Sequence, residues 1–320
     1  MTSSVADRAA GVAVPDQRRD VEFDADGVTL RGWYYRAAGG APRAPVVVMC
    51  HGFAAVKEMY LDRYAEVFAA GGLNVLVYDN RNLGASDGAP RGEIDPQRQI
   101  VDFRTAITFA ETLPGADPDR IGIWGSSYSG AHVLVVAATD RRVKAVTSQV
   151  PVVDGDANFR QLVRADFVDG ARAEFDADRR ARFAGADPVM IDVVNADPLA
   201  PSALPTPDSY EWFIGTHELR APSFVNSCTL RSVERFSEYQ PGAYIRLIAP
   251  TPLLMCVARN DVLTPTRIAL DGFASAREPK KLVVLPGGHF DAYVKGFDIS
   301  AGVQLDWFRR HLLAGAGVEV

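Results

Sequence analysis

A short run of small residues, GSSYSG at 125–130, is the strongest candidate for chemistry in this sequence. The apolar run at 120–124 precedes it and a helical pattern follows, so these residues form a tight turn between a buried strand and a helix. Such a nucleophile elbow holds a serine Oγ above the sheet in a strained backbone conformation. The spacing puts Ser127 at the apex, whereas Ser126 and Ser129 are expected to satisfy the nearby backbone. The alternative is a helix cap without catalysis.

An acid and a base with the right residue types follow two later apolar runs. Asp261 comes after the run at 252–258, and His289 lies in a glycine-containing loop after the run at 281–285. A serine hydroxyl is a poor nucleophile, so a base must take its proton, and imidazole titrates near neutrality. A buried carboxylate fixes the imidazole tautomer and stabilises the imidazolium. We therefore predict a Ser, Asp and His triad, with Asp154 as the main alternative acid.

Two backbone N–H groups are expected to stabilise the oxyanion that this chemistry forms. One belongs to Tyr128, directly after the candidate nucleophile, and the other to Phe53 in the His-Gly-Phe turn at 51–53. The hydroxyl of Tyr60 is an alternative donor. His51 is expected to hold this turn rather than to catalyse.

Three other polar residues are interpreted as structural. Asp79 and Arg81 are expected to form an ion pair that holds a turn-rich loop. His132 is expected to be a packed helix residue. The sequence has no clustered metal-ligand spacing, no P-loop and no Rossmann glycine pattern after a first strand. We therefore expect neither a metal nor a cofactor.

The elements that must position these residues follow from the pattern of apolar runs. Two alternating segments flank Asp26-Gly27 and predict a hairpin. Short continuous apolar runs predict strands buried on both faces, with helical patterns between them, at 45–50, 73–78, 120–124, 143–147, 252–258 and 281–285. This alternation predicts an α/β fold with a mostly parallel, doubly wound sheet.

The alternation stops after the sixth strand. Residues 154–245 show amphipathic spacing instead, so we predict an inserted helical cap, here called the cap segment. Its predicted helical pieces are Phe159–Phe167, Met190–Val194, Tyr210–Ile214 and Val233–Tyr239. The core then comprises 19–153 and 246–313, and residues 1–18 form a loose extension. Trp212 and Phe213 are candidate substrate-binding residues, with Phe159, Phe167 and Phe224 as further aromatic candidates.

Composition narrows the class of protein and its partners. The chain has 320 residues, 48% of them hydrophobic, and a net charge of −6 with no basic stripe, which disfavours a nucleic-acid partner. No run approaches the ~20 apolar residues needed to span a bilayer, and no secretory signal is recognisable. Cys50 and Cys256 end apolar runs and are expected to be small buried residues. We predict a cytoplasmic protein and leave its oligomeric state, including a homo-oligomer, open.

Three stretches together carry a family resemblance: the sequence HGFAAVKEMYLDRYAEVFAAGGLNVLVYDNRNLGASDG, the stretch around GSSYSG, and ARNDVLTP with GGHFDAY. They resemble α/β-hydrolases of the polyketide transferase and dienelactone-hydrolase-like group, and GSSYSG is similar to a known G-x-S-Y-x-G variant of the elbow. The resemblance implies an α/β-hydrolase fold, the chain order Ser, Asp, His and acyl transfer from esters and thioesters.

These observations predict a serine hydrolase that cleaves a carboxylic ester, thioester or lactone of a small-molecule acyl substrate through an acyl-Ser127 intermediate. One alternative is an acyltransferase, which needs a water-excluding cap rather than different catalytic residues. Another is a ligand-binding protein that keeps the fold without turnover. Turnover of a simple aryl ester distinguishes a ligand-binding protein from the hydrolase and the acyltransferase.

Overall fold

The structure is a computed structural model that describes residues 18–197 and 199–313. An eight-stranded sheet forms its centre, in the order β1-β2-β4-β3-β5-β6-β9-β10. The strands are β1 (Arg18–Ala25), β2 (Val28–Tyr35), β3 (Ala44–Cys50), β4 (Asn74–Tyr78), β5 (Ala116–Ser126), β6 (Val143–Gln149), β9 (Leu253–Ala258) and β10 (Lys280–Leu285). The predicted extension at 1–18 lies outside the described residues except for Arg18, which begins β1.

The sheet follows the predicted pattern of apolar runs. The hairpin forms at Asp26-Gly27, where both residues have positive φ, and β1 and β2 pair antiparallel. The other six strands of this sheet pair parallel to one another: β3, β4, β5, β6, β9 and β10. Every residue of β3 and β4 is buried. The prediction of a mostly parallel α/β sheet is therefore confirmed.

Helices flank this sheet on both sides, which buries its faces. They are α1 (Leu61–Ala70), α2 (Pro96–Thr112), α3 (Tyr128–Thr139), α8 (Thr266–Ala274) and α9 (Phe297–Phe308). The start of α2 follows the usual capping chemistry, because Asp95 accepts hydrogen bonds from the N–H groups of Gln97 and Arg98, and Pro96 takes the first helical position. Loops lie at the carboxyl ends of the parallel strands.

The cap segment connects β6 to β9. It contains α4 (Gly155–Leu162), α5 (Val168–Phe183), α6 (Pro207–Arg220), α7 (Leu230–Glu238) and a small antiparallel pair, β7 (Met190–Ile191) and β8 (Cys228–Thr229). A separate apolar cluster of Phe159, Val168, Phe175 and Leu230 holds α4, α5 and α7 together.

Two sequence-based predictions inside the cap segment differ from the structure: one is wrong and the other holds in part. The helix expected at Met190–Val194 is absent, because Met190 and Ile191 pair as a strand with Cys228 and Thr229. The helix expected through Phe159–Phe167 ends at Leu162, since Val163 is extended (φ −93°, ψ 124°). A distant strand partner decided the first case and a local backbone break the second.

Two further findings concern composition. Cys50, Cys228 and Cys256 are buried and free, which confirms the expectation for Cys50 and Cys256. In the described ranges 18–197 and 199–313, no helix is both long enough and apolar enough to cross a bilayer.

Candidate active site

Ser127 stands at the turn between β5 and α3 with φ 57° and ψ −113°, a conformation that non-glycine residues rarely adopt. Its N–H donates to the carbonyl oxygen of Gln149 at 2.8 Å. A Cβ at Gly125 would collide with the carbonyl oxygen of Ser129, and one at Gly130 would lie 2.8 Å from that of Gln149. The turn therefore needs glycine at both positions.

Exposure separates the three serines of this turn. Ser127 is partly exposed, whereas the side chains of Ser126 and Ser129 are fully buried. A buried hydroxyl has no access to a substrate, so the geometry favours Ser127 among the three as the residue that meets one.

Asp261 and His289 come together from the loops after β9 and β10. The distance between Asp261 Oδ2 and His289 Nδ1 is 2.8 Å, and both side chains are buried. Asp261 Oδ1 accepts hydrogen bonds from the N–H groups of Leu263 at 3.0 Å and Thr264 at 2.7 Å. The carboxylate is thus held from one side by backbone and presented to the imidazole on the other.

Asp154, the alternative acid, has a different role. Its Oδ1 accepts from the N–H of Ala157 at 2.9 Å and from Gln240 Nε2 at 2.8 Å, which caps the N-terminus of α4. The hydrogen bonds of His289 go to Asp261 and Thr264 instead.

The turn at 51–53 packs directly against the elbow. A Cβ on Gly52 would lie 2.9 Å from Ser127 Cβ and 3.3 Å from its Oγ. Within the described part of the chain, the N–H groups of Phe53 and Tyr128 donate no hydrogen bond, the latter because it opens α3. Both N–H groups therefore lack a protein partner in the described residues, and they belong to residues that adjoin the contact between Gly52 and Ser127.

The imidazole of His289 keeps one nitrogen available. Among the residues that the structure describes, its hydrogen bonds are made through Nδ1, so Nε2 has no protein partner and no hydrogen bond joins it to Ser127. The acid–base pair is nonetheless linked to the elbow, because Thr264 Oγ1 lies 3.1 Å from the carbonyl oxygen of Val150. Val150 follows Gln149, which accepts from the N–H of Ser127. Contacts between base and nucleophile commonly tighten in the Michaelis complex.

A buried polar network lies beneath the elbow and was not predicted from the sequence. Gln149 Oε1 is within hydrogen-bond distance of Tyr64 Oη at 3.0 Å, Ser300 Oγ at 2.7 Å and Gln304 Nε2 at 2.7 Å. The indole N–H of Trp124 in β5 also donates to Gln304. Polar residues at apolar-face positions of α1 and α9 were the available signal.

The same network reaches the loop of the candidate base. Ser126 Oγ accepts from Gln149 Nε2 at 3.1 Å and hydrogen-bonds the hydroxyl of Tyr293, four residues after His289. Burial raises the pKa of Tyr293 to about 12, so its hydroxyl stays neutral. Ser126 thus bonds side chains rather than the elbow backbone that we had expected.

His51 and His132 are structural, as expected. His51 Nε2 accepts from the N–H of Asn80 at 3.1 Å, and burial lowers the pKa of His51. The two ring nitrogens of His132 lie 3.1 Å from Tyr239 Oη and 2.9 Å from Gln99 Oε1. Burial, with a smaller effect of the charge on His51, lowers the pKa of His132 to about 3, so it remains neutral near pH 7.

Asp79 and Arg81 form two ion pairs rather than the one expected. Asp79 pairs with Lys57 at 2.5 Å, and Arg81 Nε donates to Asp102 Oδ2 at 2.6 Å. All four side chains are buried, so both pairs hold loops beside the sheet.

The cap segment contacts residues next to the nucleophile and the base. Phe236 of α7 stacks on the ring of Tyr128, with ring centroids 5.5 Å apart. Trp212 of α6 stacks on Phe290, the residue after His289, at 4.6 Å. The cap segment therefore packs against the residues that directly follow Ser127 and His289.

The remaining cap aromatics differ from Trp212. Phe213 is 3% exposed and packs against Phe224 at 5.3 Å, so both belong to an interior cluster. Phe159 lies in the cluster of α4, α5 and α7, whereas Phe167 is half exposed and contacts Arg164. The ring centroids of Tyr60 and Trp212 are 6.4 Å apart.

Over residues 18–197 and 199–313, no group of three or more His, Cys, Asp or Glu side chains could hold a metal ion. A groove of about 380 Å³ lies on β1 and β2, lined partly by Glu22, Arg31, Trp33 and Lys57. None of its lining residues belongs to the elbow, the acid or the base.

Comparison with known proteins gives consistent relatives. The family model described as alpha/beta hydrolase fold matches residues 45–295. Thiohydrolase aneE of Aspergillus aculeatus is 37% identical over 82% of this chain and 83% of its own length. Polyketide transferase af380 of Aspergillus fumigatus is 35% identical over 92% and 99%. The crystal structure of alpha/beta hydrolase GrgF from Penicillium sp. sh18 superposes with a TM-score of 0.80 at 30% identity, covering 92% of this chain and 99% of that one.

Proposed function

The chain belongs to the α/β-hydrolase fold family, in the group that includes thiohydrolases and polyketide transferases, and from this premise we propose that it is a serine hydrolase. Its substrate is a carboxylic ester, thioester or lactone, cleaved through an acyl-Ser127 intermediate. The observation that carries the proposal is the buried pair of Asp261 and His289 at 2.8 Å on the sheet edge that holds Ser127 at φ 57°.

The first half-reaction acylates the serine. Ser127 Oγ attacks the carbonyl carbon while Nε2 of His289 takes the hydroxyl proton, and Asp261 stabilises the imidazolium through Nδ1–H. The N–H groups of Phe53 and Tyr128 stabilise the oxyanion of the tetrahedral intermediate. When this intermediate collapses, the C–O or C–S bond breaks, and the leaving alcohol or thiol receives the proton from His289.

The second half-reaction releases the acyl group. Water attacks the acyl-Ser127 carbonyl and gives a proton to His289, which returns it to Ser127 Oγ as the carboxylic acid leaves. An alcohol or amine in place of water gives acyl transfer with the same residues. The relatives named polyketide transferases and the stacking of Trp212 beside the base both support this second candidate, since transfer requires that water be excluded.

A fluorophosphonate probe with peptide mapping tests the nucleophile. Ser127 should carry the label, and Ser127→Ala should lower turnover of 4-nitrophenyl acetate by on the order of 10⁶-fold, because the triad acts as a unit. Ser126→Ala and Ser129→Ala are the matched controls in the same turn and should keep the label. A label on Ser126 or Ser129 contradicts the assignment, and absence of both label and turnover favours the ligand-binding alternative.

Product analysis separates hydrolysis from transfer. A series of acyl thioesters of increasing chain length is incubated with and without an added alcohol or amine, and products are identified by mass spectrometry. Free acid as the main product in both conditions supports hydrolysis. Ester or amide formed at the expense of the acid supports transfer.

A further inference from the structure

Thr264 occupies a position between the acid, the base and the elbow that the proposed triad chemistry does not explain. We propose that Thr264 is a positioning residue: its hydroxyl fixes the pair of Asp261 and His289 relative to the nucleophile elbow. This inference rests on the proposed function and adds a residue to it.

The contacts of the Thr264 side chain carry the inference. Its Oγ1 lies 2.9 Å from Asp261 Oδ2, 3.2 Å from His289 Nδ1 and 3.1 Å from the carbonyl oxygen of Val150. The side chain is 4% exposed, so water does not compete freely for these partners. One hydroxyl therefore touches the acid, the base and the backbone that leads to the elbow.

A count of donors shows why the hydroxyl matters to the carboxylate. Asp261 Oδ1 accepts from the N–H groups of Leu263 and Thr264, and Oδ2 accepts from His289 Nδ1. An ionised carboxylate offers about four acceptor positions. The Thr264 hydroxyl has one proton, which goes either to Asp261 Oδ2 at 2.9 Å or to the carbonyl oxygen of Val150 at 3.1 Å. When the proton points to Asp261, all four positions are filled, and the carboxylate plane is fixed together with the direction from which the imidazole is held.

The carbonyl oxygen of Val150, the alternative acceptor of the Thr264 proton, ties this pair to the nucleophile. Val150 has φ 38°, which is unusual for a β-branched residue, and its N–H donates to the carbonyl oxygen of Cys256 at 2.7 Å. The preceding residue, Gln149, accepts the N–H of Ser127. The Thr264 hydroxyl thus contacts the residue adjacent to the one that holds Ser127.

Loss of the hydroxyl should therefore affect the chemical step and leave binding unchanged. The oxyanion donors and the cap segment do not contact Thr264 in any hydrogen bond described, so ground-state binding persists without it. The imidazole would instead sample orientations that miss the serine proton, and small misplacements of a catalytic group lower kcat strongly.

The test compares Thr264→Val, which keeps the β-branch and removes the hydroxyl, with Thr264→Ser, which keeps the hydroxyl. With 4-nitrophenyl acetate, we expect kcat of the valine variant to fall on the order of 10-fold to 100-fold with KM within about twofold. The serine variant should recover kcat to within a few-fold of wild type. Wild-type kcat in Thr264→Val, an equal loss in Thr264→Ser, or a change confined to KM would overturn the proposal.

Thr251→Val is the matched control. Thr251 is also buried, and its hydroxyl donates to the carbonyl oxygen of Val143 at 3.3 Å, at the opposite end of β6. It should lower thermal stability about as much as Thr264→Val while leaving kcat unchanged. Equal losses of kcat in the two variants would show a general effect of stability and contradict a positioning role.

A spectroscopic reading keeps this proposal separate from the proposed function. The proton on His289 Nδ1, hydrogen-bonded to Asp261, should give a downfield ¹H NMR signal in the wild type and in Thr264→Ser, and a broadened or lost one in Thr264→Val. This reading does not require turnover. A wild-type protein that shows no ester hydrolysis and no fluorophosphonate label refutes the proposed function, whereas an unaltered signal in Thr264→Val refutes the role of Thr264.

Discussion

At the residue scale, Asp261 accepts hydrogen bonds on both carboxylate oxygens, so replacement by asparagine keeps its shape and changes its charge. Asp261→Asn should lower kcat by up to ~10⁴-fold, because the imidazole takes the wrong tautomer and the imidazolium loses its counter-charge. The midpoint temperature of unfolding should change little. Steady-state kinetics with 4-nitrophenyl acetate and thermal unfolding measure the two effects.

Asp154→Asn is the control for that experiment, since asparagine also caps helices well and Asp154 caps α4. It should retain kcat within about twofold. A large loss in Asp154→Asn together with normal activity in Asp261→Asn would reverse the assignment of the acid.

The close approach of Gly52 to the elbow gives a second prediction. A methyl group there would lie 2.9 Å from Ser127 Cβ, so Gly52→Ala should push the oxyanion turn away from the nucleophile. We expect kcat to fall on the order of 100-fold, as for removal of one oxyanion donor. Gly170→Ala in α5 is the control, because a methyl group there meets no atom within 4 Å. Equal kinetics for the two variants would contradict the predicted contact.

Residue types and spacing were enough to predict that Asp261 and His289 meet, because both follow strands that end at the same sheet edge. They could not predict Thr264 or Gln149. The role of Gln149 depends on partners 85 to 155 residues away, and hydrogen bonds across such distances leave no periodic signal in the sequence.

At the element scale, the limits of the pattern are visible in the cap segment. Apolar spacing predicted α6 and α7 where they occur, but half of the residues of α5 are charged and this helix was not predicted. Its stability depends on packing of Phe175 and Val168 into the small cluster rather than on a wide apolar face. Helices that depend on few contacts are hard to recognise from periodicity alone.

Trp212 gives the prediction at this scale. Trimming it removes the ring stacked on Phe290 beside the base, so Trp212→Ala should create space for longer acyl chains. We expect the preference between short and long acyl esters to shift about 10-fold, while Ser127 keeps its reaction with a small fluorophosphonate. The measurement is kcat/KM across an acyl-length series.

Phe167→Ala is the matched control for Trp212→Ala, because Phe167 is an aromatic of the same segment that lies half exposed against Arg164. Its acyl-length profile should equal that of the wild type. If Trp212→Ala lowers all substrates by the same factor, the residue does not select acyl length.

At the scale of the whole molecule, the α/β sheet was predictable because continuous apolar runs and intervening helical patterns recur along the chain. A structural role was also predicted for His132. His132 lies wholly inside, and burial lowers its pKa to about 3. In the unfolded chain the pKa of this residue is about 6.5. Below that pH the unfolded chain therefore binds a proton at His132, whereas the native state leaves the residue neutral.

Stability should therefore be fully present above about pH 6.5 and be lost as the pH falls, by about 1.4 kcal/mol per pH unit for this group. His51, whose pKa is also lowered by burial, acts in the same direction. His132→Gln should show a shallower loss of unfolding free energy between pH 6.5 and about 4.5, measured by urea titration. The partly exposed His217→Gln is the control, and identical slopes in all three proteins would contradict the prediction.

The polar network beneath the elbow has a consequence for the order in which the protein becomes competent. Ser300 and Gln304, which complete the surroundings of Gln149, lie in α9, near the end of the described chain. While α9 is still unsynthesised, a growing polypeptide that already contains β5, β6 and the elbow lacks these two partners. The buried Oε1 of Gln149 then has only the Tyr64 hydroxyl to bind. Reactivity toward a fluorophosphonate should therefore arise late in synthesis, after α9 has docked, and chains released before Phe297 should remain unlabelled although they already contain Ser127.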